Sequence, residues 1–339
     1  MASKSITIIG AGSWGTALSI HLAKIGYKVN LWVYEKPLYE QIKETKENSI
    51  FLPGFIIPNQ VCPTNSLKEA IGNNDVVLVV VPTNFIRNIL ENMAPHLNPK
   101  SIIINASKGI ETDSLYTIQE IFKVTLPHTC YFATLSGPTF AMEVARGEPS
   151  AIVVASEEDG ISDRLQSIFS SPTLKIFTSN DPIGVEVGGA LKNVIAITTG
   201  ISDGLKNGNN ARAAIITRGL VEITRIGTAL GAKPETFSGL SGLGDLVLTC
   251  TGELSRNRQF GIRVGQGEKP NDIIKDMKVV VEGVLTLKSA FSLKSKLDIQ
   301  ASIIEETYKT IYEAKCPHQA LKDLMRIKTT SEFIGVKGR

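Results

Sequence analysis

SITIIGAGSWGTALSI, residues 5–20, runs from a short β-rich apolar stretch into a helical pattern through a glycine triplet. Gly10, Gly12 and Gly15 stand in G-x-G-x-x-G spacing, directly after the strand-like run 5–10 and at the opening of a helix. In that setting Gly10 permits a tight turn, Gly12 lets the backbone approach a pyrophosphate, and Gly15 allows the helix to pack closely on the strand. The pyrophosphate then lies at a helix N-terminus, where unpaired N–H groups and the helix dipole favour an anion. The segment could also pass for a signal-peptide core, but its glycines and the absence of an A-x-A site argue against export.

Moving outward, the first half repeats the alternation that gives the glycine loop its meaning. YKVNLWVY (27–34), DVVLVVVP (75–82), SIIINAS (101–107), CYFATLSG (130–137), SAIVVAS (150–156) and LKIFTSN (174–180) are strand-length apolar runs bounded by turn residues. Continuous Val/Ile runs separated by helical segments are the signature of strands covered on both faces, which predicts a parallel, doubly wound sheet. After Asp181-Pro182 helical periodicity dominates 183–231, 258–265 and 281–327. The expected class is therefore α/β: an N-terminal Rossmann-type dinucleotide-binding domain over 1–180 and an all-helical substrate-binding domain over 181–339.

The balance of 36 Lys and Arg against 33 Asp and Glu gives a net charge of +3, with no run of like charge. This offers nothing to a nucleic acid or a membrane surface, although a basic patch around an anionic substrate would fit. The four cysteines, at 62, 130, 250 and 316, have no C-x-x-C spacing, so neither a disulfide framework nor a metal site is expected. No apolar run reaches the roughly 18–20 residues that span a bilayer. A cytoplasmic protein is expected, with a homodimer as a candidate assembly.

Ligands of such sheets bind beyond the carboxyl ends of the strands. Three polar clusters fall there: Pro82-Thr83-Asn84, Ser107-Lys108-Gly109 and Ser136-Gly137-Pro138-Thr139. The acidic ribose ligand expected at the end of the second strand is missing; Tyr34 stands there, followed by Glu35 and Lys36. In the helical half, VEVGGALKNVIAITTG (185–200) sets Lys192 and Asn193 into an apolar helix. Gly188, Gly189, Ile195 and Ala196, one turn away, cannot pair with an ammonium group. A lone lysine of this kind ordinarily snorkels, its stem on apolar surface and its head in water.

GAGSWGTAL, FLPG, SKGIE, SGPTFAMEVARG, LKNVIAI, GLGDLVLTCT, SRNRQFG and VEG occur in that order. Together they resemble the bacterial-type NAD(P)-dependent sn-glycerol-3-phosphate dehydrogenases from about residue 6 to about residue 325. The resemblance implies reversible hydride transfer between dihydroxyacetone phosphate and sn-glycerol 3-phosphate, the glycerol backbone of phospholipids, in a cleft between a Rossmann and a helical domain. It implies that Lys192 is the catalytic lysine and that Lys108 is shared by substrate and cofactor. Gly137, Thr139, Asp245, Ser255, Arg256 and Asn257 match substrate contacts. Ser13, Trp14, Tyr34, Ala141, Arg256, Val280 and Glu282, with the glycine loop, match cofactor contacts. At Tyr34 the chain departs from relatives that carry a basic residue or histidine.

Reduction of a ketone creates an alkoxide that needs an acid nearby. His21, His96, His128 and His318 lie outside the motifs, and His21 reads as structural, so Lys192 is the better candidate. Small neighbours are expected to leave room for a substrate beside it, and Lys108 to lower its pKa. Arg256 can grip a phosphate with two donors, although SRNRQFG also reads as a capped helix with solvated arginines. Asp245 could orient Lys192 or hold a substrate hydroxyl. NADP or NAD is expected, with a modest NADPH preference. Two other readings compete: a β-hydroxyacid dehydrogenase, and a non-catalytic nicotinamide-dinucleotide sensor, to which paired lysines would be of no use.

Overall fold

The computed structural model describes residues 5–277 and 280–327; the outer ends of the two expected domains lie outside that range. The chain divides into two compact units, Met1–Ser107 with Ile118–Pro182, and Lys108–Thr117 with Ile183–Arg339. Residues 108–117, placed by sequence within the first half, thus group with the second unit.

Among its described residues the first unit carries ten strands: β1 (Ser5–Ile9), β2 (Lys28–Trp32), β3 (Glu47–Asn48), β4 (Leu52–Ile56), β5 (Val61–Thr64), β6 (Val76–Val79), β7 (Ile102–Asn105), β8 (Tyr131–Ser136), β9 (Ser150–Ala155) and β10 (Leu174–Ser179). Its helices are α1 (Ser13–Lys24), α2 (Lys36–Thr45), α3 (Leu67–Ile71), α4 (Ile86–Met93), α5 (Ile118–Thr125), α6 (Ala141–Arg146) and α7 (Ile161–Phe169). Eight strands form one sheet in the order β10-β9-β8-β7-β6-β1-β2-β5, while β3 and β4 form a separate pair. The central strands are buried along their whole length, β6 and β7 at every residue. That burial explains why they read as unbroken apolar runs.

The expectation of a parallel sheet needs one correction: β8 and β9 pair antiparallel, every other neighbouring pair of this sheet being parallel. The link between them holds only the six-residue α6, about 9 Å of helix. That is too short to return the chain along a six-residue strand of about 20 Å, so β9 runs back instead. The sequence also hides β5, VCPT, an edge strand in which a proline is tolerated. His21 is buried in α1, its Nε2 2.8 Å from the Phe169 carbonyl oxygen, as a structural histidine should be.

The second unit is helical among its described residues: α8 (Pro182–Gly204), α9 (Gly208–Ala229), α10 (Asp245–Thr251), α11 (Arg256–Gly265), α12 (Pro270–Met277), α13 (Glu282–Lys296), α14 (Ser302–Tyr312) and α15 (Pro317–Arg326). Helix α8 is its axis, with Val187, Leu191, Val194, Ile195 and Ile197 fully buried. A helix so apolar on all sides belongs in the centre of a helical unit. No helix among the described residues is long and apolar enough to cross a membrane.

Candidate active site

The glycine loop joins β1 to α1 as its spacing requires. Gly10 has φ +115°, and a Cβ there would lie 2.3 Å from the Val80 carbonyl oxygen. A Cβ on Gly15 would lie 2.0 Å from the Gly10 oxygen, so the helix touches the turn at this point. Gly12 differs. It has an ordinary φ of −68°, caps α1 without a side-chain bond, and a Cβ on it would meet nothing within 4 Å. Folding therefore does not demand a glycine at position 12, whereas an anion seated on the free N–H groups of α1 would. Ser13 is committed to the fold, donating to the Phe51 oxygen at 2.6 Å, and Trp14 packs on the sheet core.

The same edge of the sheet holds two buried hydroxyls without a hydrogen-bond partner, Thr83 Oγ1 after β6 and Ser136 Oγ at the end of β8. Buried hydroxyls are nearly always satisfied, so orphans at the carboxyl ends of parallel strands fit a polar ligand. Together with the open face of Gly12, they suit a dinucleotide. Gly137 has φ +148°, and its Cβ position is blocked by Ile152 Cα at 2.9 Å; the fold itself needs glycine there. Thr139 donates to the Gly137 oxygen at 3.3 Å, and Ala141 opens α6. Tyr34 is 72% exposed, tilted against Trp32 with ring centroids 5.7 Å apart. Glu35 and Lys36 are exposed beside it, and Glu35 caps α2 without turning its side chain into the helix end.

In the second unit Lys192 is buried rather than snorkelling. Its ammonium donates to Asp245 Oδ1 and, at 2.7 Å, to Thr249 Oγ1. Lys108 donates to the other carboxylate oxygen, Asp245 Oδ2, at 2.6 Å. The partner missing along helix α8 is thus supplied by α10, and one fully buried carboxylate carries both lysines. Thr249 lies one turn after Asp245 and donates in turn to the Asp245 carbonyl oxygen at 2.6 Å. A π turn over Leu240–Gly244 leads into Asp245 and delivers it at the very start of α10.

Burial lowers the Lys192 pKa to about 7; Asp245 pulls it up, and Lys108 pushes it down. The cause expected from sequence, the second lysine, is real but subordinate to burial. The room expected around Lys192 is partly taken: a Cβ on Gly188 would lie 2.7 Å from the Ser241 oxygen, so that glycine admits the π turn.

Ser255 caps α11, its hydroxyl accepting the Arg258 N–H at 3.3 Å, as the capped-helix reading anticipated. Arg256 follows as the first residue of the helix and is exposed. Asn257 is tied inward, donating to Asn193 Oδ1 at 2.9 Å and accepting the Gly283 N–H at 3.0 Å. Glu282 opens α13, its carboxylate acting on Arg256, and Val280 is exposed just before it. Arg258 is no solvated arginine: both its Nε and an Nη lie 2.8 Å from Asp203 Oδ2. Thr249, Asn193 and Asp203 escaped assignment from sequence. For Thr249 a signal existed, since it stands four residues after Asp245 and so shares its helix face.

The family patterns described as NAD-dependent glycerol-3-phosphate dehydrogenase N-terminus and C-terminus match residues 5–161 and 181–322. The NAD(P)+ glycerol-3-phosphate dehydrogenase of Geobacter sp. (strain M21) is 48% identical over 336 residues, 98% of this chain and 100% of that one. Its counterpart in Geobacter sulfurreducens is 47% identical over 325 residues, 95% and 97% of the two chains. The crystal structure of glycerol-3-phosphate dehydrogenase from Coxiella burnetii superposes with a TM-score of 0.92 at 36% identity, covering 95% of this chain and 99% of that one.

Proposed function

The chain belongs to the NAD-dependent glycerol-3-phosphate dehydrogenase family, and from that premise we infer that it reduces dihydroxyacetone phosphate reversibly to sn-glycerol 3-phosphate. The product is the glycerol backbone of phospholipids. NAD(P)H, when bound, supplies the hydride. Gly10, Gly12 and Gly15, with the N-terminus of α1, hold its pyrophosphate, and Ser13, Trp14, Tyr34 and Ala141 contact it elsewhere. Lys108, Arg256, Val280 and Glu282 are the further contacts we assign to the cofactor. Residues 1–180 are on this reading the dinucleotide-binding domain, and 181–339 bind the substrate.

The observation that carries the mechanism is a buried ammonium, Lys192, held on Asp245 beside a second lysine. As hydride reaches the carbonyl carbon, the C=O π electrons move to oxygen, and Lys192 Nζ gives its proton to that oxygen. The amine is then reprotonated from solvent. Both Asp245 oxygens are occupied by lysines, which supports a role in orienting them over one in holding a substrate hydroxyl. A pKa near neutrality suits Lys192 to both directions, acid for reduction and base for oxidation. The guanidinium of Arg256, the N–H groups that open α11 and Asn257 take the phosphate, with Ser255 shaping the cap and Gly137 and Thr139 completing the substrate contacts. Four free cysteines, two of them buried, suit the reducing cytoplasm we assign to the enzyme.

The test is a substrate panel with purified protein and NADPH. Cofactor oxidation on addition of dihydroxyacetone phosphate, with sn-glycerol 3-phosphate formed in equal amount, is expected. Turnover of 3-carbon or 4-carbon oxoacids in its place would overturn the inference.

A further inference from the structure

Helix α8 carries Lys192 and helix α11 opens with Arg256, and the two helices meet backbone to backbone. A Cβ on Gly200 would lie 2.1 Å from the Arg258 oxygen, and one on Gly261 would lie 2.1 Å from the Ile197 oxygen. One turn further on, Gly204 and Gly265 repeat the contact, their Cβ positions 2.3 Å from the oxygens of Ile262 and Ile201. Both glycine pairs share one offset in sequence, so the helices run parallel in fixed register. Glycine inside a helix is unfavourable relative to alanine, and four of them here serve only the close approach.

Polar ties lock the same seam. Asp203, near the end of α8, grips Arg258 of α11 through Oδ2, while Oδ1 takes Arg212 of α9, with Nε at 2.9 Å and Nη2 at 2.7 Å. Nearer the site, Asn193 accepts from Asn257, the residue after Arg256. Lys192 lies about two turns before Gly200, and Arg256 between one and two turns before Gly261. The contact therefore holds the proton-transfer group and the phosphate group at a set separation along neighbouring helices.

Resting on the function proposed above, we propose that the α8–α11 seam sets the length of ketone phosphate the enzyme accepts. Asp203, Gly200 and Gly261 are positioning residues for that choice, touching neither substrate nor cofactor. Lys192 must reach the carbonyl oxygen while Arg256 holds the phosphate, so a wider seam favours a longer substrate.

The experiment compares kcat/KM for three ketones: dihydroxyacetone phosphate, its homologue with one more methylene between carbonyl and phosphate, and phosphate-free dihydroxyacetone. Gly261→Ala and Gly200→Ala wedge the seam apart. Each should lower turnover of dihydroxyacetone phosphate on the order of 10²-fold, the cost of a misplacement of about 1 Å. The longer homologue should lose less than about tenfold, and dihydroxyacetone should change less than about threefold. Asp203→Asn loosens the seam without adding a heavy atom and serves if the alanine variants do not fold. It should shift the ratio of homologue to parent substrate in the same direction. Equal losses on all three ketones, or an unchanged ratio in Asp203→Asn, would overturn the proposal. A wild-type enzyme inert toward dihydroxyacetone phosphate would instead overturn the functional reading beneath it.

Discussion

The proton-transfer role proposed for Lys192 rests on a burial that makes its charge costly and on Asp245, which keeps a proton within reach. Removing the amine in Lys192→Ala should lower kcat by at least about 10²-fold, the low end for a general acid, with cofactor affinity nearly unchanged. Steady-state kinetics beside a cofactor titration would check it, and near-normal turnover would reassign the lysine to structure. The pH dependence has a sign. Reduction needs the ammonium, so its kcat/KM should fall as pH rises through about 7, while oxidation needs the free amine and should rise through the same range. A bound phosphate dianion favours the ammonium, so the limbs in kcat should lie at higher pH than those in kcat/KM. Asp245→Asn removes the pull that raises the lysine's pKa, and should move both kcat/KM limbs to lower pH. In the phosphate-binding role proposed for Arg256, the two-pronged donor matters as much as the charge. Arg256→Lys should raise KM for dihydroxyacetone phosphate several-fold with the fold intact, and an unchanged KM would leave it a surface arginine.

Among the elements, the β1–α1 turn separates what folding needs from what a ligand needs. Gly15→Ala places an atom 2.0 Å from backbone and should destabilise the protein by about 1–3 kcal/mol. Gly12→Ala adds its methyl to open space at an ordinary φ, so its melting temperature should match the parent's while NAD(P)H affinity drops by about tenfold or more. Thermal melts and fluorescence titrations on the pair would tell, and an unchanged affinity in Gly12→Ala would remove the pyrophosphate from this turn. The turn was legible in sequence because its requirements are local: three glycines, a strand before them and a helix after. Strand direction at β9 was not, since it depends on the short reach of α6. Nor were the pairings that build the site. Lys192 with Asp245, Asn193 with Asn257 and Arg258 with Asp203 join residues more than 50 positions apart. Periodicity marks which face of a helix is buried, not which side chain will arrive on it. Hence Lys192 reads as unpaired along its own helix, and the sequence leaves Asp245 between orienting it and holding a substrate hydroxyl, although the two side chains meet.

At the scale of the whole molecule, the glycine loop and the lysine cluster make one reductase only if cofactor and ketone are used together. Either cofactor should serve. No carboxylate occupies the ribose slot at Tyr34 to repel a 2′-phosphate, and the exposed Lys36 offers that phosphate a contact worth about 1 kcal/mol or less. NADPH should therefore be preferred over NADH by less than about tenfold in kcat/KM, a margin that Lys36→Ala should erase. An NADH preference above about a hundredfold, lost in Glu35→Ala, would show Glu35 to be the ribose ligand. The central claim is that Lys192 protonates the ketone of dihydroxyacetone phosphate as reduced nicotinamide is consumed. Its most direct test is the rate of NADPH oxidation by that ketone at neutral pH, followed in the parent and in Lys192→Ala. In the parent, sn-glycerol 3-phosphate should form in step with cofactor loss, and in the variant the rate should be at least about 10²-fold lower. A parent that leaves the ketone untouched, or a variant that reduces it as fast, would contradict it.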